Sequence, residues 1–349
     1  MNVFDYVRPE TIGDAVSASA KPGAAYLAGG TNLLDLMKVG VRAPATLVDI
    51  TRIPDLREIT ALDDGDWRIG ALVPNADLAR HEGFAKAFPA AAEALLSGAS
   101  PQLRNAATLG GNLMQQTRCP YFYDTASACN RREPGSGCDA LDGETSKHAI
   151  LGWTMTCMAT HPSDLCAALM ALDAVIEIEG PTGKRDIAID SFYALPDETN
   201  AGGAELSPGE LITGIRLPAS GRDFACHARY LKVRDRTSYA FALVSAAAML
   251  DVQDGTIKDV RIALGGVAAK PWRAREAEAQ LKGKAATGDA FDAAAETALS
   301  GATPSGDNAY KITLAKRLVK KALNAALSGT PDRMPALPGS VFSTRKERA

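Results

Sequence analysis

The sequence contains no apolar run approaching the ~18–20 residues that cross a bilayer, so no membrane-spanning helix is expected. It has no excess of base: 38 Lys and Arg face 41 Asp and Glu, a net charge of −3. That balance excludes a nucleic-acid-binding surface of the usual kind. Close Cys-x-x-Cys pairs are absent, which argues against a zinc ribbon. Histidine is scarce, with His81, His148, His161 and His227 scattered along the chain. They form no triad and no His/carboxylate set for metal hydrolysis. The opening residues lack a basic region followed by an apolar core, so no signal peptide is read there. A cytoplasmic chain is expected, or a periplasmic one exported with a signal-bearing partner. There is no internal repeat and no low-complexity tract.

What is present is ordinary for a folded protein. The 349 residues are 46% hydrophobic and 23% charged, enough for two or three domains with cores. Residues 1–60 read as a small α/β unit. Thr11 to Asp14 opens a helix as a capping box, Ala24 to Leu27 and Thr46 to Ile50 are strands, and a helix runs from Asn32 to about Val39. Ile59 to Leu62 and Trp67 to Ile69 flank an Asp-Asp-Gly-Asp turn and read as a hairpin. Asn75 is the expected cap of a short helix, and Pro89 to Leu96 forms another. After a polar stretch over 115–148, Ser163 caps a helix through Leu172. Strands are read at Ala174 to Glu179, Ile187 to Ile189 and Leu211 to Leu217. Beyond Pro218 come three strands, Ala228 to Val233, Ala240 to Val252 and Lys258 to Leu264. The part Ala242 to Leu250 is ambiguous with helix. Helices then follow at Ala274 to Leu281, Phe291 to Leu299 and Tyr310 to Leu327. Strands first and helices after is an α+β pattern. Lys316, Arg317, Lys320 and Lys321 read as the solvated face of the last helix. The tail 331–349 is expected to be flexible.

Two stretches carry chemistry. Tyr26-Leu27-Ala28-Gly29-Gly30-Thr31-Asn32-Leu33-Leu34 reads as strand, tight turn and helix start. Adjacent glycines let the backbone turn and approach a bulky anion closely, and a helix start adds N–H groups and a positive dipole end. No Gly-Lys-Ser/Thr follows, so this is not a P-loop. A second loop of the same kind, Thr108-Leu109-Gly110-Gly111-Asn112, comes about eighty residues later. One such loop is weak, but two suit a long ligand with a diphosphate in its middle.

The second stretch holds cysteines. Nine residues separate Cys119 from Cys129, eight separate Cys129 from Cys138, and eighteen separate Cys138 from Cys157. Four thiolates on an irregular loop suit a [4Fe–4S] cluster, and nearby glycines free N–H groups for its sulfurs. Structural zinc and free thiols are the competing readings. Cys166 is the other candidate for a fourth ligand, although its apolar neighbours suggest a packed helix face. Cys166 and Cys226 are expected as buried small hydrophobes.

The two Gly-Gly segments together with His161-Pro162-Ser163-Asp164-Leu165 resemble the FAD-contacting segments of the medium flavoprotein subunit in the xanthine dehydrogenase and carbon monoxide dehydrogenase family of molybdenum hydroxylases. Tyr230-Leu231-Lys232 and Ile262 to Pro271 extend the similarity to about residue 330. The resemblance implies an α+β protein. A two-part FAD-binding domain of the vanillyl-alcohol-oxidase type would span 1–220, divided into 1–57 and 58–220. A smaller α+β domain, an antiparallel sheet plus helices, would span 225–330. It implies that Tyr26 to Leu34, Thr108, Gly111 and Asn112 hold FAD. His161 belongs to the flavin motif, Asp164 would bond the ribityl or flavin end, and Lys232 would lie near the isoalloxazine. No catalytic residue is expected on this chain. Substrate oxidation would occur on a molybdopterin-binding large subunit, a small [2Fe–2S] subunit would relay electrons, and an external acceptor would take them. The cysteine loop, over 115–157, is similar to that of a subgroup of bacterial aldehyde oxidoreductase trimers with an extra [4Fe–4S] cluster. A stand-alone flavin oxidase and an assembly subunit with structural zinc are the alternatives.

Overall fold

The computed structural model describes residues 1–332, so the expected tail lies outside the described residues from 333 onward. Near the N-terminus, Asp5–Val7, Ala24–Leu27 and Thr46–Asp49 pair in parallel with Thr46–Asp49 in the middle. Parallel neighbours need a crossover, and the helices Ile12–Ser19 and Leu33–Lys38 lie in the connections. Thr11 begins the first of these as read, its side chain accepting from the Asp14 N–H at 3.1 Å.

A five-stranded antiparallel sheet follows, in the order Ile59–Ala61, Trp67–Gly70, Leu211–Leu217, Val175–Gly180, Gly183–Ala188. Its hairpin turn is the one expected at Asp63 to Asp66, with Asp64 Oδ1 accepting from the Asp66 N–H at 2.9 Å. The last strand stops at Ala188, and Ile189 instead opens a helical turn, Ile189–Phe192. Asn75 does not cap its helix. Pro74 occupies that position with no side-chain capping bond, because the helix already starts at Asn75.

The C-terminal sheet is antiparallel, Ala228–Val233, Val244–Gln253, Thr256–Gly265 and Trp272–Arg273 in sequence order. The helices Arg275–Leu281, Gly288–Ala298 and Tyr310–Leu327 follow. The ambiguous stretch is a strand that starts at Val244. Its periodicity was unreadable because both faces are buried. Ala247 and Met249 join the core around the helices Pro89–Ser97 and Asp164–Ala171, while Ala246, Ala248 and Leu250 join the core under the C-terminal helices. This strand therefore ties the two halves of the molecule together. Cys226 departs from expectation: it is exposed, on the surface 3-10 turn Ala219–His227. Cys166 is buried as expected.

Candidate functional site

A cleft of ≈ 790 Å³ runs between the N-terminal unit, the middle segment and the C-terminal sheet. That is within the size range of cofactor sites. Of the first Gly-Gly stretch, Thr31 and Asn32 line it, while Tyr26, Leu27, Ala28, Gly29, Gly30, Leu33 and Leu34 do not. The four glycines divide the work in pairs. The first of each pair permits packing. A β-carbon on Gly29 would overlap the Ala106 carbonyl, and one on Gly110 would crowd Ala71 at 3.1 Å. The second of each pair shapes the cleft. Gly30 has φ +70° and makes the turn, a backbone region that favours glycine. Gly111 lines the cleft itself.

The second Gly-Gly stretch is not a loop. Leu109–Leu113 is a short helix, and Thr108 is its cap, accepting from the Gly111 N–H at 3.4 Å. Asn112 follows on the cleft wall. Its Oδ1 accepts from Ser163 Oγ at 2.6 Å and Gln115 Nε2 at 2.8 Å, which fixes the amide. Ser163 in turn caps the helix Asp164–Ala171 as expected.

Asp164 and Lys232 form one buried unit. Lys232 Nζ lies 2.7 Å from Asp164 Oδ2, and the two side chains are 4% and 7% exposed. Tyr230 donates to the other oxygen, Oδ1, at 2.6 Å. Burial and the Asp164 charge hold the Tyr230 phenol well above its ordinary pKa, so it stays a donor. Lys232 also donates to the Ser97 carbonyl at 3.2 Å, as Arg234 does at 3.0 Å. Arg104 donates to the Gly98 carbonyl at 2.6 Å. Burial, then the neighbouring Arg80 and Arg234 charges, push the Arg104 guanidinium below its ordinary value. Arg104 and Arg118 line the cleft, and a guanidinium there suits a phosphate. Arg104 and Arg118 were given no role from sequence, and Tyr230 was read only as part of the Tyr230-Leu231-Lys232 similarity. Arg118 donates to Asn32 Oδ1 at 3.2 Å and sits 4.7 Å from the centre of the Phe241 ring, so it joins the first Gly-Gly stretch to the C-terminal half.

The ring of His161 lies outside the cleft. Thr160 and Pro162 line the cleft instead. The His161 ring packs on Tyr193 with centroids 4.7 Å apart, and burial with the nearby Arg131 charge holds its pKa down to about 3. It is a neutral packing residue in this arrangement.

The cleft fits FAD on its own features: its size, the Gly111 backbone on its wall, and the Arg104 and Arg118 guanidiniums that line it. It also contains an orphan acceptor. Asn75 lines the cleft and its Oδ1 is buried with no hydrogen-bond partner among the described residues. A ligand N–H would satisfy it.

Beside the cleft lies a second, small cavity, lined by Cys119, Cys129, Cys138 and Cys157 together. Cys129 and Cys138 face each other in an isolated antiparallel bridge. Cys166 is not among the lining residues; its Sγ sits 3.3 Å from Tyr193 OH. The Phe122 N–H donates to the Cys119 carbonyl and the Leu141 N–H to the Cys138 carbonyl, both at 3.1 Å, and His148 Nε2 lies 3.2 Å from Cys119 Sγ. Burial pushes the Cys119 thiol up to about 12 and the Cys138 thiol upward too, so both are protonated without a metal. The donor chemistry suits an iron–sulfur group. The cavity as it stands is only ≈ 10 Å³. Among the described residues no three His, Cys, Asp or Glu side chains gather closely enough to hold one metal ion.

The family described as the FAD binding domain in molybdopterin dehydrogenase matches residues 2–220, and the CO dehydrogenase flavoprotein C-terminal domain matches residues 229–326. The chain is 48% identical over 330 residues to the aldehyde oxidoreductase FAD-binding subunit PaoB of Escherichia coli (strain K12), covering 93% of this chain and 99% of that one. It is 31% identical over 331 residues to the carbon monoxide dehydrogenase medium chain of Hydrogenophaga pseudoflava, covering 93% and 96%. A solved structure of carbon monoxide dehydrogenase from that organism superposes with a TM-score of 0.73 at 31% identity, covering 94% of this chain and 98% of that one. The chain belongs to the FAD-binding medium subunits of the xanthine and carbon monoxide dehydrogenase family of oxidoreductases.

Proposed function

We propose that this chain is the electron-transferring subunit of a heterotrimeric, molybdenum-containing aldehyde oxidoreductase. It receives electrons from a molybdopterin-binding large subunit through a small [2Fe–2S] subunit and passes them to an external acceptor. The observation that carries this reading is the 48% identity, over nearly the whole of both chains, with the aldehyde oxidoreductase subunit PaoB. FAD, when bound, supplies the exchange between single electrons and electron pairs. The chain's own residues hold and bias it. Backbone around Thr31, Asn32 and Gly111 would receive the diphosphate, with Arg104 adding positive charge. The Asp164–Lys232 pair presents a fixed dipole on the cleft wall, and Tyr230 keeps the carboxylate in place. With the flavin end bound beside this pair, the Lys232 ammonium would help to offset the negative charge of the reduced flavin.

We further propose that Cys119, Cys129, Cys138 and Cys157 hold a [4Fe–4S] cluster. Support comes from the four thiols that line one cavity. In a cluster each thiolate takes its own iron, so the four need not converge as ligands of one zinc ion must. Binding would deprotonate the thiols and part the cavity walls, coupling the metal to the fold of the loop.

Anaerobic mixing tests the electron-transfer reading. The intact complex, given an aldehyde, bleaches the oxidised flavin band, and the isolated, FAD-loaded chain does not. Bleaching by the isolated chain would make it a flavin oxidase in its own right.

A further inference from the structure

Lys311 lies in the first turn of the last helix and is 0% exposed. Its three donors all go to carbonyls: Lys147 at 3.2 Å, His148 at 2.8 Å and Gly266 at 2.7 Å. Its neighbours grip the same segment. Asn308 Nδ2 donates to the His148 and Ala149 carbonyls, both at 3.1 Å, and Ser305 Oγ donates to Ala149 at 2.8 Å. The clamped residue His148 reaches the cysteine cavity, its Nε2 lying 3.2 Å from Cys119 Sγ.

The hydrogen bonds of Lys311 are complete, but its charge is not matched. Among the described residues no carboxylate pairs with it, and burial alone pulls its pKa down to about 7. A buried ammonium calls for a nearby negative charge. The cavity beyond His148 is lined by Arg131 and His148 and by no Asp or Glu. Burial holds the His148 imidazole below its ordinary pKa, so among the described residues Arg131 is the one charged side chain lining this cavity, and a negatively charged group would be matched there. Four thiolates around a [4Fe–4S] core carry net negative charge, and a one-electron reduction adds one more.

We propose that Lys311 is the buried countercharge of the four-cysteine site, so that the C-terminal domain raises the reduction potential of the group held by the FAD-binding half. This rests on the [4Fe–4S] reading above. Lys311 acts as a positioning and electrostatic residue; it touches neither the cysteines nor the cleft.

The test is an anaerobic redox titration of the whole complex, followed by electron paramagnetic resonance of the reduced cluster, with iron and FAD assayed in parallel. Lys311→Gln and Lys311→Met remove the charge in two ways, so a folding failure of one leaves the other. Both are expected to keep iron and FAD and to lower the cluster potential. Lys311→Arg and Asn308→Ala, which keep a charge at 311, are expected to titrate with the wild type. Unchanged potentials in iron-loaded Lys311→Gln and Lys311→Met would overturn the proposal. So would loss of iron in all three Lys311 variants, which would make the residue a structural clamp alone. A wild-type complex with no iron at the cysteines overturns the cluster reading itself, an outcome separate from the other two.

Discussion

The cleft and the cysteine cavity share Thr117, Cys119 and His148 as a common wall, yet they are built differently. The cleft is framed by helix starts and by the C-terminal sheet, with an ion pair in its wall. The cavity is framed by irregular chain held by side chains. Asn130 Oδ1 accepts from the Gly135 and Gly137 N–H groups at 3.1 and 2.9 Å, and its Nδ2 donates to the Thr156 carbonyl at 3.0 Å. Arg132 donates to the Tyr121 and Phe122 carbonyls at 2.8 and 3.0 Å. A wall of secondary structure keeps its shape through cooperative backbone bonding, whereas a loop opens locally when a few bonds or its contents are lost. The contrast predicts that the two sites fail independently despite touching.

The largest effect is expected at Lys232. Lys232→Met leaves the Asp164 carboxylate buried with only Tyr230 beside it, which costs about 3–5 kcal/mol. Chemical denaturation is expected to report that loss, and FAD content to fall with it. A loss below ~1 kcal/mol, the range of an exposed pair, would show that the pair is not the cleft's brace. Gly29→Ala comes next. Its β-carbon has no room against Ala106, and overpacking of this kind costs about 1–3 kcal/mol. FAD per chain is expected to drop while any iron in the cysteine loop stays. Joint loss of both would erase the independence of the two sites.

His161 sets a pH limb. Its folded pKa lies at about 3, below the ordinary 6.5, so the unfolded chain takes a proton first. The stability it contributes is complete above pH 6.5 and is lost as pH falls from 6.5 towards 3. By pH 5 that amounts to about 2 kcal/mol. His161→Gln is expected to flatten this limb in denaturation at pH 7 and pH 5; equal slopes would refute the assignment. The smallest effect belongs to Thr108→Ala. As a helix cap, Thr108 is worth about 1 kcal/mol. The variant is expected to melt slightly earlier and keep its flavin; loss of flavin without loss of stability would make Thr108 a direct FAD contact instead.

Local signals were legible in sequence. The glycine pairs, the Ser163 cap, the Asp63 to Asp66 turn and the strand-then-helix order all follow from short-range chemistry. Contacts across the fold were not. Asp164 and Lys232 were read as two separate residues, because nothing in a linear pattern joins positions on different halves. The second Gly-Gly stretch read as a loop since glycine disfavours helix, yet Thr108 and packing on Ala71 stabilise one turn there. Lys311 was hidden in a basic helix that otherwise displays Lys316, Lys320 and Lys321. Charge alone does not tell which lysine turns inward.

The most direct measurement is the iron, acid-labile sulfide, zinc and FAD content of the anaerobically purified complex, repeated on a Cys119→Ser/Cys138→Ser variant. A loss of about four irons per complex with FAD retained is the predicted result. Unchanged iron with loss of zinc would contradict it, and would make the cysteine cavity a structural zinc site beside the flavin.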